Sequence, residues 1–342
     1  MSDKVRFGIV GTGMIGRYHA EAIRATEGAE LTAVCRSSAQ GAEEAAREYG
    51  VPCETSYESL LARRDVDAVC LCTPSGLHAA QTLAAAAAGK HVLVEKPMAL
   101  TLADADAMIA ACRAAGVRLG VALQRRTDPT FRAVRDAIGA GDLGPLVLGT
   151  VSVPYVRPQS YYDSAAWRGT WALDGGGALM NQGIHLADLL VWYMGDPVEV
   201  SARQATLAHQ IEVEDCVAAS LRFTSGALGT LVATTAAAPG FPHRVEVYGG
   251  RGGVQIEGED VVRWDGEARA RVPPHVAATA AAGAGASPTG IKAAGHVRLV
   301  GDLVAAIREG RPALVPGEEG RRSLALVLAV YESARLGRPL AP

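Results

Sequence analysis

A carboxylate, an amine and a proline follow directly on an apolar run at "HVLVEKP", residues 91–97. Unpaired charge is costly to bury, so Glu95 and Lys96 must end this stretch either at solvent or at the rim of a site. A second chemical signal stands near the start, "GTGMIG", in which Gly11, Gly13 and Gly16 have the G-x-G-x-x-G spacing. Gly11 suits a tight turn, Gly13 lets a pyrophosphate approach the main chain, and Gly16 brings helix and strand together. Met14 and Ile15 then open a helix whose unpaired N–H groups face the phosphates. This pattern predicts a bound dinucleotide. About twenty residues further on, folds of this kind that bind NAD place a carboxylate on the ribose 2′-hydroxyl. Here Arg36, Ser37 and Ser38 stand instead, which predicts NADP in preference to NAD.

A third constellation lies at residues 161–195. Tyr161, Tyr162, Trp167, Arg168 and Trp171 cluster in a chain with only 5% aromatic residues. Aromatic faces with polar tips beside an arginine suit a sugar ring and its hydroxyls, although such a loop can also be pinned by its own aromatics. Three glycines then open a helix that closes at Gly195, with Asn181, His185 and Asp188 at i, i+4 and i+7 on one face. A single histidine on an apolar helix is more often structural, so periodicity alone leaves its role open.

These residues need elements to hold them. Apolar strands at 5–10, 31–35, 68–73, 91–95 and 118–123 alternate with helices at 15–26 and 39–49, an alanine-rich helix ending at Gly89, and one from Thr101 to near Gly116. Continuous apolar strands alternating with helices predict a doubly wound parallel sheet, covered on both faces. Thr55 with Glu58, and Thr101 with Asp104, have capping-box spacing. After Gly144 and Pro145 the strands lengthen and alternate, at 146–155, 198–206, 216–223, 228–235 and 244–248, with a hairpin turn at Thr224–Gly226. The 342 residues exceed a single core. The chain therefore divides into a dinucleotide domain at 1–125 and a second domain at 126–342, whose C-terminal helices can pack back on the first.

With "TPSGLH" at 73–78, "GKHVLVEKP" at 89–97 and the closing "LVGDLVAAIREGRPALVPGEEGRRSLALVLAVYESARLG", the chain resembles the glucose–fructose oxidoreductase, inositol dehydrogenase and MocA family nearly end to end. The resemblance implies an α/β Rossmann domain, then an α+β domain with a large open, mostly antiparallel sheet, through which many relatives form homodimers or homotetramers. It implies that Lys96 holds the substrate hydroxyl and stabilises its oxyanion, that Glu95 lies near the nicotinamide ribose, and that Pro97 fixes the turn through a cis bond. Thr73, Pro74 and His78 fall on the cofactor, and His185 becomes the general acid–base. Asn181 departs from relatives that carry Asp there. An amide takes no proton, so it can only orient a hydroxyl, leaving Lys96 and His185 to manage the proton. Gln124 and Arg126, just past a strand end, can reach substrate or cofactor, and Tyr155, Tyr162, Trp167 and Arg168 complete the expected substrate contacts.

The function so implied is NAD(P)-dependent oxidation or reduction of a hydroxyl on a sugar, sugar derivative or cyclitol. The "GGGALMNQGIH" version resembles members acting on nucleotide-linked or other derivatised sugars. Two other classes remain open: a glycoside hydrolase or epimerase with transient cofactor oxidation, and a non-catalytic sensor of sugar and dinucleotide. His185 and Asp188 have ligand chemistry but no third partner at a suggestive spacing, so no metal is expected. A net charge of −3 excludes nucleic acid as the expected partner. Apolar runs such as 323–330 fall well short of the roughly 18 residues that span a bilayer, so no membrane is expected. With six scattered cysteines and no leader-like start, the location expected is the cytoplasm. Residues 268–290 are low in complexity and read as a mobile loop.

Overall fold

The computed structural model describes residues 4–266 and 294–342, so the 268–290 segment lies outside the described residues. Two compact units divide the chain: Met1–Gln124 with Lys292–Arg321, and Arg125–Ile291 with Arg322–Pro342.

The first unit runs β1 (Val5–Val10), α1 (Met14–Ala25), β2 (Ala29–Cys35), α2 (Ala39–Tyr49), β3 (Cys53–Glu54), α3 (Tyr57–Ala62), β4 (Ala68–Leu71), a 3-10 turn at Ser75–Leu77, α4 (His78–Ala87), β5 (His91–Val94), α5 (Leu102–Ala114) and β6 (Leu119–Val121). Its six strands are all parallel, in the order β3-β2-β1-β4-β5-β6. Every residue of β4 is buried, as a sheet covered on both faces requires. Thr101 caps α5, its hydroxyl accepting from the Asp104 N–H at 3.0 Å. The cap of α3 corrects the expectation: Ser56, not Thr55, accepts from an N–H, that of Ser59, at 3.1 Å. Either hydroxyl suits an N-cap, and the chain enters the helix one residue later than the spacing suggested.

Register sets where the motifs fall. Val10 pairs with Cys35 and with Leu71, and Leu71 pairs with Val94. Gly11, Arg36, Thr73 and Lys96, each within two residues of those partners, therefore emerge at one edge of the sheet. That edge is the carboxyl end of every strand, where parallel α/β sheets bind ligands.

The second unit contains α6 (Pro129–Gly139), β7 (Leu146–Pro154), α7 (Gln159–Asp163), a π-helical turn (Ala178–Gly183), α8 (Ile184–Met194), β8 (Pro197–Ala205), β9 (Cys216–Phe223), β10 (Leu228–Thr234), β11 (Arg244–Gly249), β12 (Gly252–Glu257) and β13 (Asp260–Asp265). Its seven-stranded sheet has the order β13-β12-β11-β7-β10-β9-β8, antiparallel except between β7 and β10. Helix α8 lies on one face, against β7. It can approach because Gly149 has no side chain: a Cβ there would stand 2.7 Å from Met194 Cγ and 2.9 Å from Leu190 Cδ1. The helix expected between the three glycines and Gly195 is thus a π turn followed by an α-helix. The chain ends in α9 (Ala294–Glu309), which belongs to the first unit and packs on α1, and α10 (Gly317–Leu336). No helix of the described residues is long and apolar enough to cross a membrane.

Candidate active site

At the carboxyl edge of the first sheet, each glycine of the turn answers a different constraint. Gly11 has φ +94°, and a Cβ on it would meet the Cys72 carbonyl oxygen at 2.6 Å. At Gly16 a Cβ would stand 2.3 Å from the Gly11 carbonyl, so helix α1 could not seat against the turn. Around Gly13 no described atom comes within 4 Å of an added Cβ. The open space at Gly13 fits the pyrophosphate that the sequence predicts. Helix α1 begins at Met14 with no side-chain cap, leaving its first N–H groups toward that space. Arg36, Ser37 and Ser38 are exposed at the end of β2. Ser38 also caps α2, accepting from the Gly41 N–H at 3.2 Å, and the Arg36 side chain lies over Gly41.

The neighbouring turns are tied together by a histidine. His78, 1% exposed, sets Nδ1 2.8 Å from the Pro97 carbonyl and Nε2 3.0 Å from that of Thr73. Thr73 donates its hydroxyl to Gln81 at 2.6 Å, and Pro74 opens the 3-10 turn. The ring of His78 therefore braces the loop that carries Lys96. The Lys96–Pro97 bond is cis, as expected. Lys96 is half-buried, whereas Glu95 turns inward and is 6% exposed. Its Oε1 lies 2.7 Å from His19 Nε2 and 3.6 Å from His296 Nε2. His296 lies 201 positions beyond Glu95, which is why local spacing gave no hint of this trio.

In the second unit the π turn places Asn181 and α8 places His185, both half-buried one turn apart. Asn181 donates to Asp174 at 2.7 Å and accepts from Gln182 at 3.2 Å, so its amide is held in one orientation. Asp174 is 2% exposed and was not anticipated; a carboxylate thus stands directly behind the Asn181 amide. The π turn itself hangs on another buried carboxylate. Glu214 accepts from the N–H groups of Gly177 and Leu179, both at 2.8 Å, and from the Tyr331 hydroxyl at 3.0 Å. Burial pushes the Glu214 carboxyl up to about 7, against the pull of these donors.

Arg126, Tyr155, Tyr162 and Arg168, also expected on the substrate, each have partners of their own within the second unit. Arg126 is 3% exposed and forks onto Asp188 with Nε at 2.9 Å and an Nη at 2.7 Å, while Ser323 also donates to Asp188. Asp188 therefore anchors α8 to the segment before α6 and does not share the exposed surface of His185. Tyr162 is buried, its hydroxyl paired with Thr235 at 2.8 Å. Arg168 stacks over Tyr161 and Trp167, 4.3 and 4.5 Å from the ring centroids, and donates to the Tyr161 hydroxyl. Tyr155 is 3% exposed, with its hydroxyl 3.0 Å from His243 Nδ1. Burial, then the charges of Arg125 and His185, keep His243 well below its ordinary pKa and so neutral.

Residues 5–123 match the Gfo/Idh/MocA oxidoreductase family with its NAD-binding Rossmann fold, and residues 131–255 match the C-terminal domain of the same family. The chain is 30% identical to an inositol 2-dehydrogenase of Rhizobium meliloti over 96% of each protein. It is 40% identical to a 1,5-anhydro-D-fructose reductase of Ensifer adhaerens over 65% of this chain and 67% of the other. Among solved structures, the WlbA dehydrogenase of Bordetella pertussis, in complex with NADH and UDP-GlcNAcA, superposes with a TM-score of 0.87, 37% identity and 99% coverage of both chains. With both domains matched and 30% identity to a relative over 96% of each protein, the chain belongs to the Gfo/Idh/MocA family of oxidoreductases.

Proposed function

We propose that this oxidoreductase moves a hydride between a nicotinamide dinucleotide and one hydroxyl of a nucleotide-linked or otherwise derivatised sugar. The observation that carries this reading is the single sheet edge on which the open space at Gly13, the Thr73 turn and the half-buried Lys96 converge. The bound cofactor supplies the hydride acceptor or donor. Lys96 orients the hydroxyl and stabilises the oxyanion as the C–H bond breaks, and His185 accepts the hydroxyl proton. Asn181, fixed between Asp174 and Gln182, orients a substrate hydroxyl without exchanging a proton.

Support for a derivatised sugar comes from Arg168, half-buried over two aromatic rings, and from the WlbA structure with its nucleotide-linked sugar. Arg36, in a place where NAD-specific folds carry an acid, favours NADP; the WlbA structure holds NADH. The exposed face of the second sheet, with Leu148, Leu228 and Val232 interspersed with Thr150, Ser220 and Thr230, suits a second copy of the chain, giving a homodimer or homotetramer. Six free thiols fit a reducing, cytoplasmic setting.

The test follows nicotinamide absorbance with UDP-GlcNAcA, myo-inositol and 1,5-anhydro-D-fructose, each with both cofactors. Turnover of a nucleotide-linked sugar with net cofactor reduction is expected. Product formed with no net change in cofactor would replace this reading by hydrolysis or epimerisation through a transient ketone. Binding of sugar and cofactor with no chemistry would leave only a sensor.

A further inference from the structure

Glu95, His19 and His296 form a buried trio within the first unit, with side chains 8%, 0% and 1% exposed. His19 comes from α1, the helix that the glycine turn opens, and His296 from α9. Both Nε2 atoms address the same carboxylate oxygen, while the other oxygen accepts the Lys96 main-chain N–H at 3.2 Å. The two imidazoles meet edge to face with centroids 5.1 Å apart, and Tyr18 stacks on His296. Burial opposes ionisation of Glu95, but the hydrogen bonds of the two histidines hold its carboxyl well below the ordinary range. Burial also lowers the pKa of His19, keeping it in the neutral form that donates one N–H.

A folding core needs no carboxylate here; apolar side chains fill such a volume at less cost. The distinctive product of this arrangement is a fixed Lys96 main chain. On one side Glu95 holds the Lys96 N–H, and on the other His78 holds the Pro97 carbonyl. The trio also has the composition of a metal site, its three candidate ligand atoms lying within 4.8 Å of one another. Yet an imidazole that ligates a metal ordinarily donates its second N–H to an acceptor. Nδ1 of His19 and Nδ1 of His296 are both buried with no hydrogen-bond partner among the described residues. The 2.7 Å contact between His19 and Glu95 is moreover a hydrogen-bond distance.

We propose that Glu95, His19 and His296 form a positioning cluster for Lys96, in which the carboxylate fixes the lysine main chain and the histidines fix the carboxylate to the helix of the glycine turn. This rests on the assignment of Lys96 to the substrate hydroxyl. A displacement near 1 Å can cost about 10²-fold in rate. Loss of the cluster should therefore appear in kcat and leave cofactor affinity largely intact.

The experiment compares the wild type with Glu95→Gln, His19→Leu, His19→Gln and Lys96→Met, using UDP-GlcNAcA and NAD as probes, with cofactor affinity read by fluorescence. Glu95→Gln and His19→Leu should lower kcat by about 10–100-fold, with cofactor Kd changed less than about threefold. His19→Gln, which retains a donor for the carboxylate, should recover most of the loss. Wild-type kcat in Glu95→Gln, beside an inactive Lys96→Met, would overturn the cluster alone. Full activity in Lys96→Met would instead overturn the assignment of the lysine. Hydrogen exchange of the wild-type protein, with or without foldable variants, gives a reading that needs no substrate: the Lys96 amide should be strongly protected, and rapid exchange would overturn the proposal. Stoichiometric zinc in the purified protein would overturn it as well, in favour of a metal site.

Discussion

Substituting Glu214 by Gln tests how the π turn bearing Asn181 is held. The carboxylate oxygens of Glu214 receive two main-chain N–H groups and a tyrosine O–H. A glutamine places an NH2 where one oxygen stood, so one buried N–H faces another donor, at a cost of about 1–3 kcal/mol. Opposing this is the removal of a buried charge. The Glu214 carboxyl moves from its ordinary 4.5 to about 7 on folding. At ~1.36 kcal/mol per pH unit, that difference makes the wild type about 3 kcal/mol less stable above pH 7 than below pH 4.5.

The sign follows from proton counts. Between these pH values the folded state binds the proton that the unfolded state has released, so stability is present at low pH and lost as pH rises through the folded pKa. Glutamine does not titrate. Urea unfolding of both proteins from pH 5 to pH 8 should therefore show Glu214→Gln less stable at pH 5, with the gap closing by about 2–3 kcal/mol toward pH 8. A gap that stays constant or widens with pH would refute the elevated pKa and the account of this carboxylate.

The glycine turn offers a paired contrast. Gly13→Ala should fold with wild-type stability, because no described atom meets its Cβ, yet weaken dinucleotide binding at least about tenfold in a fluorescence titration. Gly16→Ala should instead lower the thermal midpoint, since its Cβ would press on the Gly11 carbonyl at 2.3 Å. Arg36→Asp should shift the ratio of kcat/KM toward NAD by an order of magnitude or more, and an unchanged ratio would remove Arg36 from 2′-phosphate recognition. Asp188→Asn leaves the buried Arg126 guanidinium facing a neutral partner. It should destabilise the protein by about 3 kcal/mol in urea unfolding.

The alternation of strands and helices was legible because the strands of the first sheet, apart from the two-residue β3 that went unseen, are mostly apolar, and the glycines of the turn sit where the main chain must turn or approach closely. The second sheet was less so. Strands β12 and β13 escaped notice because "GGVQIEGEDVVRW" buries only Val254, Ile256 and Trp264. The identities of Lys96, Asn181 and His185 stood out through local motifs. Their supports did not: His19, Glu214 and His296 reach their partners across long sequence separations, and Asp174, only seven residues before Asn181, belongs to no motif that marks it. Arg126 illustrates the converse. A cation just past a strand end reads as a ligand contact, but its salt bridge to Asp188, 62 positions on, is invisible until the chain folds.

The most direct test of the central claim is a single-turnover measurement of nicotinamide reduction, wild type against Lys96→Met, with cofactor and the nucleotide-linked sugar both saturating. If the Lys96 amine stabilises the oxyanion as proposed, its loss should slow the hydride step by about 10²–10³-fold while cofactor affinity stays within a few-fold of wild type. Equal rates of reduction in the two proteins would contradict the account.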